Sequence, residues 1–90
     1  MPITTSHFNL TNGVRQRIVN ALGMAQHVCI HNHEHSSSVN VYIGGSDVTT
    51  SNGIHAQSTL TSQITIGPDD ELYAVADGNA ELHVLIVKQD

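Results

Sequence analysis

The sequence predicts an all-β protein, a compact antiparallel β-sandwich or small barrel with an extended N-terminal segment. Short β-branched runs recur about every ten residues, Gly, Pro, Asn and Asp separate them, and helical periodicity is almost absent. The chain has 90 residues and no change of composition along its length, so we expect a single domain. Within it, residues 1–25 should form an arm or the first strands, and residues 26–90 the sandwich core.

The N-terminal quarter contains one strand signal and one ambiguous segment. Residues 3–8 are rich in Thr and Ser and predict a first strand or an extended arm. Residues 14–22 fit two patterns, because Val14, Ile18 and Leu22 have helical spacing while neighbouring side chains alternate. A strand is favoured because turn signals flank the segment on both sides.

The middle of the chain predicts a hairpin followed by a separate strand. Side chains alternate in residues 26–32 and again in residues 39–43, and the polar loop between them predicts a hairpin. Residues 58–66 show the clearest period of two, which indicates a half-exposed antiparallel strand.

The C-terminal residues predict a second hairpin, in which an Asp-Gly turn joins residues 71–76 to residues 80–87. The last strand is apolar on both faces, which indicates either a central strand or a surface that another subunit covers. A chain this short buries a marginal core, so we expect a homo-oligomer. The residues expected at its interface are Tyr42, Tyr73, Val75, Leu85, Val87, Ile3 and Phe8.

Charge and composition exclude several classes of partner. The formal net charge is −5 with only three basic residues, which argues against nucleic acid as the main partner. No apolar run approaches membrane-spanning length, and no signal peptide is recognisable, so we expect synthesis in a cytoplasm and no membrane partner. Cys29 is the single cysteine, so an internal disulfide is impossible.

A group of histidines raises the question of a metal site. His31 and His33 are two residues apart on a predicted strand, a spacing that can chelate one ion. The pair is similar to the first motif of cupins, but residues 36–38 are serines where that motif has a glutamate, and the second motif is absent. The favoured interpretation is an exposed edge that carries imidazoles, so no metal or other cofactor is expected. The candidates left open are His31, His33 and His35.

Nothing in the sequence favours an enzyme. Cys29 shares strand parity with His27 and His31, but a nucleophilic pair also needs a third group to orient the base. The acidic run at residues 69–71 follows a proline and is typical of a solvated turn.

Residues 41–53, with their Val-Tyr-Ile-Gly-Gly start and closing glycine, resemble a family of small β-rich virion proteins of tailed bacteriophages. The resemblance includes residues 28–32 and residues 67–75 and covers roughly residues 26–87, while residues 54–58 depart from the family pattern. It implies a structural, non-enzymatic capsid decoration protein, commonly a trimer, that stabilises the head shell by binding the major capsid protein at the virion surface.

Two alternatives from other classes stay open. One is a tail, neck or fibre module that binds a host glycan through Tyr42, Tyr73 and loop residues. The other is a small cupin-like metal-binding protein that uses His31 and His33.

Overall fold

The computed structural model describes residues 3–32, 39–56 and 61–89, and these residues form eight β-strands and no helix. The strands are β1 (Ile3–Leu10), β2 (Gln16–Val19), β3 (Ala25–Asn32), β4 (Val41–Gly44), β5 (Ile54–Ala56), β6 (Thr61–Ile66), β7 (Leu72–Ala76) and β8 (Ala80–Gln89). Sheet A has the order β1-β8-β3-β6 and sheet B the order β2-β7-β4-β5, and all strand pairs are antiparallel. The predicted all-β sandwich is confirmed.

The hydrophobic core lies between the two sheets. In β3 and β8 every second side chain is buried, so each strand turns one face to the core and the other outward. The fully buried positions include Val28, Ile30, Val41, Leu82 and Val84. Burial of such side chains is the main favourable term for a chain of this size.

The extended N-terminal segment is not confirmed. β1 pairs with β8 along its whole length, from Ile3 opposite Val87 to Leu10 opposite Ala80. β2 then crosses to the other sheet and pairs with β7, with an irregularity of register between Arg17 and Val19. The first described residues therefore supply one edge strand to each sheet.

Both predicted hairpins are wrong, because consecutive strands mostly alternate between the sheets. β3 and β8 lie in sheet A, whereas β4 and β7 lie in sheet B. The Asp-Gly turn instead forms a corner between the sheets. Asp77 accepts hydrogen bonds from the Asn40 backbone N–H (2.6 Å) and side-chain amide (3.1 Å), and a Cβ on Gly78 would lie 2.8 Å from Val39. These contacts fix the turn to the chain that enters β4.

The loop between β4 and β5 forms a second corner. The Asn52 side chain accepts a hydrogen bond from the Thr49 backbone N–H (2.7 Å) and donates one to the Asp47 carbonyl (3.2 Å). A Cβ on Gly53 would lie 2.7 Å from atoms of both Tyr42 and Val48, so the loop packs too closely for a larger residue. This loop satisfies its own polar groups and covers part of the outer face of sheet B.

Candidate metal centre

Three histidines lie in one row across the outer face of sheet A. The strand register places His83 of β8 opposite His7 of β1 on one side and opposite His31 of β3 on the other. Their strand neighbours Leu82, Val84 and other alternate residues point into the core, so the imidazoles share the opposite face. Residues that are far apart in the sequence are therefore neighbours on a rigid sheet.

Glu81 adds a carboxylate to one end of this row. The His7 Nε2 atom lies 3.1 Å from the Glu81 Oε2 atom, and the His83 Nε2 atom lies 3.9 Å from the Glu81 Oε1 atom. The His7 and His83 ring centroids are 4.9 Å apart, with the ring planes tilted by 42°. One ligand atom from each of His7, Glu81 and His83 falls within 4.8 Å of the others, the one such group of three among the residues that the structure describes.

The cluster is partly exposed, and the strands hold the backbones of its residues. The side chains of His7, His83 and Glu81 are 48%, 43% and 35% exposed, although the His83 Nε2 atom itself is shielded from solvent. Two imidazole nitrogens and a carboxylate oxygen form a donor set that suits Zn²⁺ and other divalent transition metals. These three side chains are therefore the described residues that could hold a metal ion together.

The metal candidates from the sequence have different outcomes. His31 is half-buried at the end of β3, in the row described above but outside the group of three. His33 and His35 lie outside the described residues, so their part of the prediction stays a prediction.

Sequence reasoning missed His7, Glu81 and His83. The relevant signal was present in the alternation of β1 and β8, which places His7 on the face opposite Phe8 and Leu10, and His83 on the face opposite Leu82 and Val84. The pairing of β1 with β8, which brings the two histidines together, cannot be read from local pattern.

Three of the expected interface residues lie on the same outer face as the histidines. Ile3 is 63% exposed and opposes the half-buried Val87, while Leu85 is 37% exposed and lies between Val87 and His83 on β8. These apolar side chains adjoin the imidazole row on sheet A.

The other four interface candidates do not join that surface. Tyr42 stacks on His55 with ring centroids 5.4 Å apart, and the Tyr73 hydroxyl donates to Glu71 at 3.3 Å. Val75 is buried at 4% exposure and, like Val48, lines a hollow beside the β4–β5 loop. Phe8 packs against the core. The seven residues therefore do not form one patch, and whether any contacts a partner stays a prediction.

An apolar cleft lies between the edge strands of the two sheets. It has a volume of about 150 Å³, and its lining is mostly aliphatic. The lining residues are Ile30, Ile43, Gly44, Ile54, Gln63, Ile64 and Leu72. It offers few polar groups that would orient a small polar ligand.

Elsewhere, charged groups have structural roles. The backbone hydrogen bond from Asn40, reinforced by its side-chain amide, lowers the pKa of the Asp77 carboxyl from its usual 3.8. Cys29 is a free, half-buried thiol on the outer face of β3. Among the described residues no helix has the length and hydrophobicity needed to cross a membrane.

Comparison with known proteins gives a distant structural likeness. No protein-family model matches the sequence, and no curated protein matches it. A solved structure, a periplasmic inhibitor of g-type lysozyme (PliG) from Aeromonas hydrophila, is similar with a TM-score of 0.39 and 12% identity. The likeness covers 98% of this chain and 85% of the inhibitor.

These findings correct the function drawn from the sequence. The named neighbour is a bacterial periplasmic lysozyme inhibitor and not a virion protein, so the capsid decoration role and the major capsid protein as partner are wrong. The expected trimer is not shown, and the glycan-binding and cupin-like alternatives find no support. At this TM-score the likeness also carries no argument that this chain inhibits a lysozyme. The resemblance to phage proteins itself stays a prediction.

Proposed function

We propose that this protein is a non-enzymatic β-sandwich that binds a divalent transition-metal ion, with Zn²⁺ as the best match, on the outer face of sheet A. The single observation that supports the proposal is the convergence of His7, Glu81 and His83, whose ligand atoms lie within 4.8 Å of one another. These three residues are not the His31 and His33 pair of the cupin-like candidate.

The donor chemistry favours a borderline metal over Ca²⁺ or Mg²⁺. Imidazole nitrogen suits Zn²⁺, Cu²⁺ and Ni²⁺, whereas Ca²⁺ and Mg²⁺ prefer sites built from oxygen ligands. Glu81 supplies the one carboxylate of the group, and it lies close to both imidazoles. A bound cation would be attracted to the Glu81 carboxylate and to the lone pairs of both imidazoles.

Stability of the apo-protein gives little reason for this grouping. An exposed ion pair contributes only about 0–1 kcal/mol. His7 and Glu81 are each at least one-third exposed, at 48% and 35%, so their pair falls in this class. Metal binding explains better than stability why two imidazoles and a carboxylate lie together at one point of the sheet.

The open position of the cluster favours holding an ion over catalysing a reaction. Metal-dependent catalysis relies on a dry, shaped cavity that excludes water and orients a substrate. Here the three side chains stand on a sheet face and remain between 35% and 48% exposed. We therefore propose a binding role without chemistry.

The test is a zinc titration of tag-free, metal-stripped protein by isothermal titration calorimetry at pH 7.5. We expect one ion per chain. Because changes to residues that only support a ligand reduce affinity by about 10–100-fold, loss of a ligand itself in His7→Ala or His83→Ala should cost at least that much. His55→Ala, which removes an exposed imidazole from sheet B, should bind zinc as the wild type does.

Two results would contradict the proposal. One is a His83→Ala variant that binds zinc with wild-type affinity. The other is a loss of binding that occurs only when His33 and His35 are both replaced, which would assign the ion to the sequence-predicted histidines.

A further inference from the structure

We infer that His31 is the fourth ligand of the metal site, so that three imidazoles and Glu81 close a tetrahedral centre across β1, β8 and β3. The inference rests on the proposed function, because it completes the same site. His31 is not part of the group of three, and its addition would restrict which metal ions the site accepts.

The register gives the first argument. His83 is the Cα partner of both His7 and His31, so it occupies the middle of a three-histidine row. Cβ atoms of directly opposed residues in antiparallel strands lie about 4.5–5.5 Å apart. An ion held above His83 is then about one strand spacing, roughly 4.8 Å, from the backbones of β1 and β3.

Side-chain direction gives the second argument. In β3 the residues Gln26, Val28, Ile30 and Asn32 are buried, while the residues between them, His31 included, are half-buried on the outer face. His31 therefore extends from the same surface as His7 and His83. As the side chains stand, His31 is outside the group of three, so its binding to the ion requires a change of side-chain rotamer, with the strand pairing unchanged.

The two rows nearer the C-terminal end of β8 have no metal ligand at their centre. The next row along the sheet places Thr5 and Cys29 on either side of Leu85, and the row after it places Ile3 and His27 on either side of Val87. In both rows the central strand presents an aliphatic side chain. Of these three rows, only that of His83 has a metal ligand at its centre.

The completed ligand set has a chemical consequence. Structural zinc sites are four-coordinate and tetrahedral with all positions filled by protein, whereas catalytic sites keep one position for water. A set of three nitrogens and one oxygen would thus select Zn²⁺ or Co²⁺ and exclude a reactive water. It would also join three adjacent strands of sheet A through one ion.

The experiment uses the tag-free full chain with Cys29→Ser, so that the thiol cannot contribute a ligand. Zinc affinity is measured by competition with a chromophoric chelator, and coordination number is read from the visible absorption of the Co²⁺-loaded protein. His31→Ala should reduce zinc affinity at least about tenfold and weaken the intense bands of four-coordinate Co²⁺. His27→Ala, on the same strand and face, is the matched control and should change neither.

A second measurement keeps the inference testable should His31→Ala fail to fold. The sample is the ¹⁵N-labelled chain that differs from the wild type only in Cys29→Ser, and long-range ¹H–¹⁵N spectra detect the ring nitrogens of each histidine. On zinc binding, the ¹⁵N chemical shift of a His31 ring nitrogen should change together with those of His7 and His83. Unchanged His31 nitrogens, or a His31→Ala variant with the affinity and Co²⁺ spectrum of its parent, would overturn the inference and leave the three-ligand site intact. Absence of zinc binding by the parent would instead overturn the proposed function.

Discussion

Zinc should raise the unfolding temperature of this protein, and the expected size follows from the positions of the ligands. His7 and the pair Glu81 and His83 are distant in sequence and meet only in the folded sheet, so the unfolded chain lacks the site. An ion that binds the folded state alone stabilises it by about 2.7 kcal/mol when its free concentration is 100 times Kd. For a domain of this size, 1 kcal/mol shifts Tm by about 4–8 °C, so we expect a rise of about 11–22 °C.

The assay is thermal unfolding followed by far-UV circular dichroism, with a chelator, with zinc or with magnesium. His7→Ala removes the ligand on β1 and should lose most of the rise, whereas His55→Ala should retain it. Magnesium should have no effect, because the donor set is rich in nitrogen. A rise of the same size in His7→Ala would show that zinc binds elsewhere and would refute the reasoning.

Three further predictions concern the scaffold. Gly53→Ala should destabilise the fold by about 1–3 kcal/mol in urea unfolding, because the new Cβ would lie 2.7 Å from two side-chain atoms. The control Gly45→Ala should be tolerated, because the atom nearest to its new Cβ is 3.5 Å away. In the same assay, Leu82→Ala should destabilise the fold by about 2–5 kcal/mol, because Leu82 is fully buried. Leu85 is 37% exposed, so Leu85→Ala should cost less than about 0.5 kcal/mol. Equal costs would contradict the assignment of the two faces of β8. Asp77→Asn should reduce stability at neutral pH: the native carboxyl has a pKa below 3.8, so its contribution is complete above that value and is lost as the pH falls through the lower native pKa. Urea midpoints of the variant and the wild type should therefore converge as the pH falls below 3.8, and a constant difference would exclude this titration as the cause.

Local patterning predicted the strands well. The run of apolar residues around Leu82, Val84 and Ile86 identified β8, and the alternation of side chains identified β3. The three-residue strand β5 was missed because it is too short to display a period, and its residues Ile54 and His55 are exposed.

The sequence did not predict which strands pair with each other. An Asp-Gly turn ordinarily predicts a hairpin, but here hydrogen bonds from Asn40 to Asp77 turn it into a corner between the sheets. The candidate metal centre was missed for the same reason, because it depends on which strands pair. His31 stood out because it is two residues from another histidine, whereas His7 and His83 become neighbours only through the pairing of the first strand with the last.

That pairing also determines when the sheet can form. In the part of the chain that the structure describes, β1 pairs with β8 alone, and β8 also pairs with β3, so sheet A is assembled around β8. During synthesis β1 must wait, unpaired, until β8 has left the ribosome. Closing such long loops costs entropy before any contact is gained, so the chain should fold slowly and only after translation of β8, with the Thr- and Ser-rich β1 solvated in the meantime.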